Sequence, residues 1–197
     1  MEKIILASAS PRRKEILKSL GVDFEIVTAD ADEGSISTDT EPKLYVQELA
    51  FLKATATARE LLDKKKKHTL IIAADTVVVS DGKILGKPKD KNDAFDMLRG
   101  LSAKTHKVMT GICVFRLDDA FSVCDTVTTE VTFKDLSDDI ITSYIATGEP
   151  MDKAGAYGIQ GRGSLLCSGI LGDYFNVVGL PASRLCDILY SEFGYKL

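Results

Sequence analysis

The chain reads as an α/β protein, and two stretches carry that prediction. In the first, Ile4-Ile5 leads through the turn Leu6-Ala7-Ser8-Ala9-Ser10-Pro11-Arg12-Arg13 into an amphipathic pattern with Ile16, Leu17 and Leu20 on one side, closed by Gly21. That is a short strand passing into a helix. In the second, Thr69 to Val79 forms a nearly continuous apolar run, as expected of a central strand covered on both faces. A chain of 197 residues has room for one large domain or two closely packed lobes.

The first turn already suggests chemistry. Ser10 is placed as an N-cap and Pro11 at the first helical position, where its missing N–H costs nothing. Free N–H groups and partial positive charge at a helix start attract anions. With the hydroxyls of Ser8 and Ser10 and the guanidiniums of Arg12 and Arg13, the turn makes a candidate phosphate cradle, because an Arg fork grips phosphate oxygens bidentately. Two cations in a first turn oppose the helix dipole unless an anion joins them. The competing reading is a capped surface helix with ordinary basic residues.

Phe24 to Val27 reads as a second strand, followed by an acidic turn with Asp30, Asp32 and Glu33. Such a turn is either solvated or holds a divalent cation through oxygen ligands. Glu41 to Leu62 reads as a long helix with Tyr45, Leu49, Leu52 and Ala56 at helical spacing. Lys53 falls on or beside that stripe, so its ammonium either snorkels to water or points into a cleft against an anion. Lys64 to Lys67 is read as solvated charge favourable at the helix C-terminus. Asp75 interrupts the central strand, and a carboxylate there needs a cation, a metal or donors, since bare burial is prohibitive. An ion pair would satisfy it; a functional role is the reading carried forward. Ser80-Asp81-Gly82-Lys83 returns as a hairpin through Ile84 and Leu85, bringing Lys87 back toward Asp75 and Thr76 if the pairing is tight.

Lys91 to Arg99 reads as a helix ended by Gly100, Lys107 to Phe115 and Val123 to Phe133 as long strands, and Ser137 to Ala146 as a helix stopping near Gly148. Gly155, Gly158, Gly161 and Gly163 then fall within nine positions, which implies unusual backbone angles or close approach to a ligand. Their spacing is not the dinucleotide fingerprint. Short strands around Leu165 to Ile170, a turn at Gly172-Asp173 and a helix from Ala182 to Phe193 complete the chain.

Composition narrows the function. A net charge of −4, from 25 basic and 29 acidic residues, leaves no global basic field for nucleic acid, so any anion is held by a local cluster. Cys113, Cys124, Cys167 and Cys186 form no C-x-x-C pair and read as buried small hydrophobes in a reducing compartment. With His68 and His106 as the only histidines, a multi-histidine metal site is excluded. The N-terminus lacks a signal-peptide core and no apolar run approaches spanning length, so the expected setting is cytoplasmic, without a membrane partner.

Five blocks, in order, resemble the Maf family: Ser8-x-Ser10-Pro11-Arg12-Arg13, Ala74-Asp75-Thr76-Val77, Gly86-Lys87-Pro88, Asp152-Lys153-Ala154-Gly155-Ala156-Tyr157-Gly158-Ile159-Gln160-Gly161, and Val178-Gly179-Leu180-Pro181. They span nearly the whole chain, so the resemblance implies one domain over residues 1–197. It implies an elongated mixed sheet flanked by helices, with two lobes around a central cleft, as in the inosine triphosphate pyrophosphatases. It also implies a nucleoside triphosphate pyrophosphatase that splits the α–β anhydride, a divalent cation (Mg or Mn), and frequently a homodimer. By the same resemblance Asp75 is the proton acceptor, Lys53 and Lys87 line the phosphates, and Glu33 serves metal binding and catalysis, sharing the metal with Asp75. Arg12, Thr76 and Gln160 match positions tied to base selection. The branch acting on methylated guanosine triphosphate carries Trp before the first motif's Arg, Asp-Gln in the second, and Glu near the position of Gln160. This chain instead resembles the branch that prefers dTTP and UTP, with modified pyrimidine nucleotides as a further substrate class. The alternative is a nucleotide-binding regulator of cell division or septum formation.

Overall fold

A computed structural model of the chain describes residues 2–62 and 68–196. The elements are β1 (Lys3–Leu6), α1 (Pro11–Ser19), β2 (Phe24–Ile26), α2 (Pro42–Leu62), β3 (Thr69–Ser80), β4 (Lys83–Leu85), α3 (Lys91–Leu101), β5 (Thr105–Arg116), β6 (Ser122–Phe133), α4 (Asp138–Ala146), β7 (Cys167–Leu171), α5 (Tyr174–Val178) and α6 (Ala182–Phe193). The fold is α/β with a seven-stranded mixed sheet in the order β2-β1-β3-β5-β6-β7, and β4 pairs with β3 off that path. β1 runs parallel to both β2 and β3, whereas β4 returns antiparallel on β3 and β7 on β6.

The chain forms two compact units, one of residues 1–75, 110–127 and 179–197, the other of 76–109 and 128–178. The first unit's core packs Ala50, Ala54, Ala58 and Leu61 of α2 on Ile5 of β1, Ile71 and Ala73 of β3, and Cys113 and Phe115 of β5. Small residues on α2 let the helix lie close to the sheet. It approaches the sheet closely at Gly111 of β5, where a Cβ would come within 2.1 Å of the Val46 carbonyl oxygen. Any side chain there would lift the helix that carries Lys53. The second unit's core joins Leu98 and Leu101 of α3, Val108 of β5, Val131 and Phe133 of β6, Ile141 and Tyr144 of α4, and Ala156 and Tyr157 of the glycine-rich loop.

Ser10 caps α1 by accepting from the Arg13 N–H at 3.4 Å, with Pro11 at the helix start. The turn Asp81-Gly82 closes the β3–β4 hairpin with both residues at positive φ, the conformation such two-residue loops require. Three expectations are corrected. Gly100 lies inside α3, which continues to Leu101 and is capped by Ser102, because Leu101 is wholly buried and holds the last turn down. The short strands expected around Leu165 reduce to β7 preceded by a 3-10 stretch, Gly161–Leu166. Among the cysteines, all free, Cys113 alone is fully buried; Cys124, Cys167 and Cys186 are half-exposed. The lysine run Lys64 to Lys67 lies outside the described residues.

Candidate active site

In the first unit, three elements deliver three charges to one point. Lys53 stands on the middle of α2, Asp75 on β3 at the end of its fully buried stretch, and Glu33 on a single 3-10 turn, Glu33–Ser35. The Lys53 ammonium donates to Asp75 Oδ1 at 2.5 Å and lies 3.1 Å from Glu33 Oε1. Lys53 and Asp75 are largely shielded, with side chains 18% and 16% exposed, whereas Glu33 is 55% exposed. Shielding strengthens the first pair and leaves the second open to solvent, where it contributes little to stability. The cationic end of Lys53 therefore does not snorkel to water. It neutralises the carboxylate that interrupts the strand, and a third charge reaches in from the acidic turn.

The first turn supplies the remaining groups of this unit. Ser8 is buried, and its Oγ accepts from the Ser10 N–H and from Arg13 Nη1, both at 3.2 Å. Arg13 Nε donates to the Gly179 carbonyl at 2.8 Å. Two nitrogens of the Arg13 fork are thus engaged by the chain, tying the motif around Gly179-Leu180 to the turn around Ser8. Burial lowers the Arg13 pKa from its ordinary value; Asp75 opposes the shift, Arg12 adds to it and Glu33 opposes it. The guanidinium stays charged and stands within the field of both carboxylates. Arg12 is half-buried beside it.

Tyr45 belongs to the same neighbourhood, although its sequence pattern marks it only as part of the apolar stripe. Burial raises its phenol pKa first, Asp75 and Glu33 raise it further, and Lys53 opposes them. The available signal was its spacing: Tyr45 and Lys53 are two i,i+4 steps apart on α2 and share a face.

The second unit holds Thr76, Lys87 and Gln160. Thr76 is half-buried on β3, one residue past Asp75, while Lys87 and Gln160 are exposed. The hairpin pairing ends at Val78 with Leu85, so Thr76 and Lys87 each lie two residues past the last pair, on β3 and on the chain leaving β4. The glycine-rich loop is folded against its own unit. Gly155, at φ +65°, would place a Cβ 2.9 Å from Val78, and its N–H donates to the Gly86 carbonyl at 3.0 Å. Lys153 Nζ donates to the Glu149 carbonyl at 2.6 Å and to Asp152 Oδ1 at 2.7 Å. The close approach that the glycines signalled is, at Gly155, an approach to the chain itself. A groove of about 290 Å³ between Ile140, Tyr144, Arg162 and Leu165 contains none of the predicted site residues.

Residues 3–192 match the family described as Maf-like protein. The chain belongs to the Maf family. Relatives align over nearly its whole length. It is 50% identical over 197 residues to the dTTP/UTP pyrophosphatase of Alkaliphilus metalliredigens, covering all of both chains. It is also 50% identical to that of Clostridioides difficile, covering 98% of this chain and 97% of the relative. Among solved structures, the nucleoside-triphosphatase (dITP/XTP pyrophosphatase) of Mycobacterium abscessus is similar at a TM-score of 0.45 and 14% identity, over 97% of this chain and 94% of the other.

Proposed function

We propose that this chain is a pyrophosphatase that hydrolyses dTTP and UTP at the α–β anhydride, releasing the nucleoside monophosphate and pyrophosphate, with modified pyrimidine nucleotides as a further substrate class. The observation that carries the reading is Lys53 held between Asp75 and Glu33, in a chain half identical to relatives named dTTP/UTP pyrophosphatases. The one domain is taken to span residues 1–197 and to work as a homodimer in the cytoplasm. Among the described residues no helix is long and apolar enough to cross a membrane.

Hydrolysis requires a water oriented in line, a proton acceptor and neutralisation of the phosphate charge. Asp75 is the group suited to take the proton from water as one P–O bond forms and the anhydride bond breaks. Lys53, already bonded to Asp75, fixes that carboxylate in direction, and with Lys87 and Arg12 supplies cations for the phosphates. The free N–H groups at the start of α1 add partial positive charge. The hydroxyl protons of Ser8 and Ser10 remain available to phosphate oxygens, since both Oγ atoms act as acceptors in their backbone bonds. Arg13 acts through the Ser8 and Gly179 contacts, holding the turn in shape. Thr76 and Gln160 carry the donors and acceptors that a pyrimidine edge requires.

A divalent cation fits this donor set. Among the described residues no group of three or more His, Cys, Asp or Glu is arranged to hold a metal, so an all-protein cage is not available. Two carboxylates do converge on one cationic point, the Lys53 ammonium, and Mg is commonly held by one or two carboxylates plus substrate phosphates and water. Glu33 and Asp75 would hold the ion together with the nucleotide. When bound, it would add charge neutralisation at the phosphates and lower the pKa of a bound water. A carboxylate bound to metal is a weaker base, so Glu33 is the better-placed ligand and Asp75 the better-placed acceptor.

The test is pyrophosphate release from a panel of nucleoside triphosphates, with Mg or Mn and after chelation. The expected result is release from dTTP and UTP that stops on chelation. Nucleotide binding without turnover across the panel would favour the regulator over the enzyme.

A further inference from the structure

His106 lies at the start of β5, is 2% exposed, and has no part in the chemistry above. Its ring meets Phe133 and Tyr157 edge to face, with centroids 4.9 Å and 5.3 Å away, and those two meet each other at 4.7 Å. His106 Nε2 and the Tyr157 hydroxyl are 2.7 Å apart. His106 Nδ1 has no hydrogen-bond partner among the described residues. Burial holds the imidazole neutral, at a pKa of about 4, and keeps the Tyr157 phenol protonated. With one imidazole N–H and one O–H to place, a single bond between the two side chains cannot satisfy both, so an apolar pair would fill this core at lower cost. What the polar pair adds is direction: it fixes where the Tyr157 ring points.

Tyr157 sits in the middle of the glycine-rich loop. On one side of it the Gly155 N–H bonds to the Gly86 carbonyl at 3.0 Å, and Gly86 precedes Lys87. On the other, the Gly158 N–H bonds to the Tyr144 hydroxyl at 3.2 Å, two residues before Gln160. The His106–Tyr157 bond is therefore the central pin of three, between two segments that each end in a predicted substrate contact. We infer that His106 is a positioning residue for base selection: through Tyr157 it sets the placement of the loop that carries Gln160. This rests on the reading of the chain as a dTTP/UTP pyrophosphatase with Gln160 at the base.

The test compares wild type, Tyr157→Phe and the double variant His106→Phe with Tyr157→Phe, measuring KM and kcat for dTTP and dCTP together with Tm. Tyr157→Phe keeps the three-ring packing and removes only the hydroxyl. The expected result is a KM for dTTP raised about tenfold with kcat within about twofold, and a dTTP-over-dCTP preference reduced by a similar factor. The all-apolar double variant should keep or raise Tm without recovering the preference, which a merely structural role would not produce. Unchanged KM and preference in both variants, with Tm alone moving, overturns the inference while leaving the enzyme reading intact. A wild type inactive on every triphosphate overturns that reading, and the inference with it.

Discussion

In the first unit, Glu33, Lys53 and Asp75 arrive from a turn, a helix and a strand and meet at one ammonium, held by each other's charge. In the second, Lys87 and Gln160 stand exposed, and their neighbours are held instead: Gly86 by Gly155, Gly158 by Tyr144, and Tyr157 by His106. The difference teaches how a fold divides its tasks. In the proposed reading the proton acceptor Asp75 and its partner Lys53 are shielded, where Coulomb interactions are strong. Gln160, the proposed base contact, is left open on a backbone fixed by neutral hydrogen bonds, which keep its geometry without adding field at the base. Substitutions of Lys53 and Asp75 should therefore act on turnover, and those of Gln160 and the residues that hold its loop on discrimination.

The largest break in that contrast is Asp75→Asn. It keeps the shape and removes the proposed proton acceptor, so kcat for dTTP should fall about 10³-fold in steady-state assays, with the base ranking unchanged. Next comes Lys53→Met, which leaves Asp75 shielded without its cation. It should lower stability by roughly 3 kcal/mol in urea melts and reduce turnover as well. Loss of activity without loss of stability would mean that the Lys53–Asp75 pair is not structural.

A pH titration of stability, compared between wild type and His106→Phe, probes the second unit. Burial lowers the His106 pKa from 6.5 to about 4, so between those values the unfolded chain binds a proton that the folded one refuses. Stability is then fully present above pH 6.5 and declines as pH falls toward 4, by roughly 3 kcal/mol in all. His106→Phe should flatten that part of the curve in denaturant titrations at stepped pH; an unaltered slope would assign it to carboxylates elsewhere. The smallest effect is expected from Gln160→Glu, which replaces an amide donor with an acceptor at an exposed position. It should shift the preference between bases about tenfold with kcat nearly unchanged.

Much of this was legible in the sequence where local chemistry and tertiary structure agree. The closing helix runs over Ala182–Phe193 as its apolar spacing predicts, and the Ser10 cap and the Asp81-Gly82 hairpin follow from turn chemistry. Asp75 and Lys53 stood out because each breaks an apolar pattern, and a charge placed there needs a partner. What stayed hidden depends on contacts remote in sequence. The helix Tyr174–Val178 has five residues, too few to show a helical period. Its fixed point is Asn176, whose amide donates to the Val108 carbonyl at 3.0 Å and the Thr129 hydroxyl at 2.9 Å. Arg13 looked like a phosphate grip from its place in the first turn, yet Gly179, which accepts its Nε–H, is 166 residues away. His106 falls one residue before the strand read over Lys107 to Phe115, and only the folded chain, in which that strand begins at Thr105, brings it to Tyr157.

The most direct test of the division between the units is a parallel measurement of kcat/KM and kcat for dTTP, UTP and dCTP in Asp75→Asn and Gln160→Glu, by pyrophosphate release. The account predicts that Asp75→Asn loses turnover on every substrate in the same proportion, while Gln160→Glu keeps kcat and reorders the substrates. A reordering in Asp75→Asn, or a uniform collapse of kcat in Gln160→Glu, would contradict it.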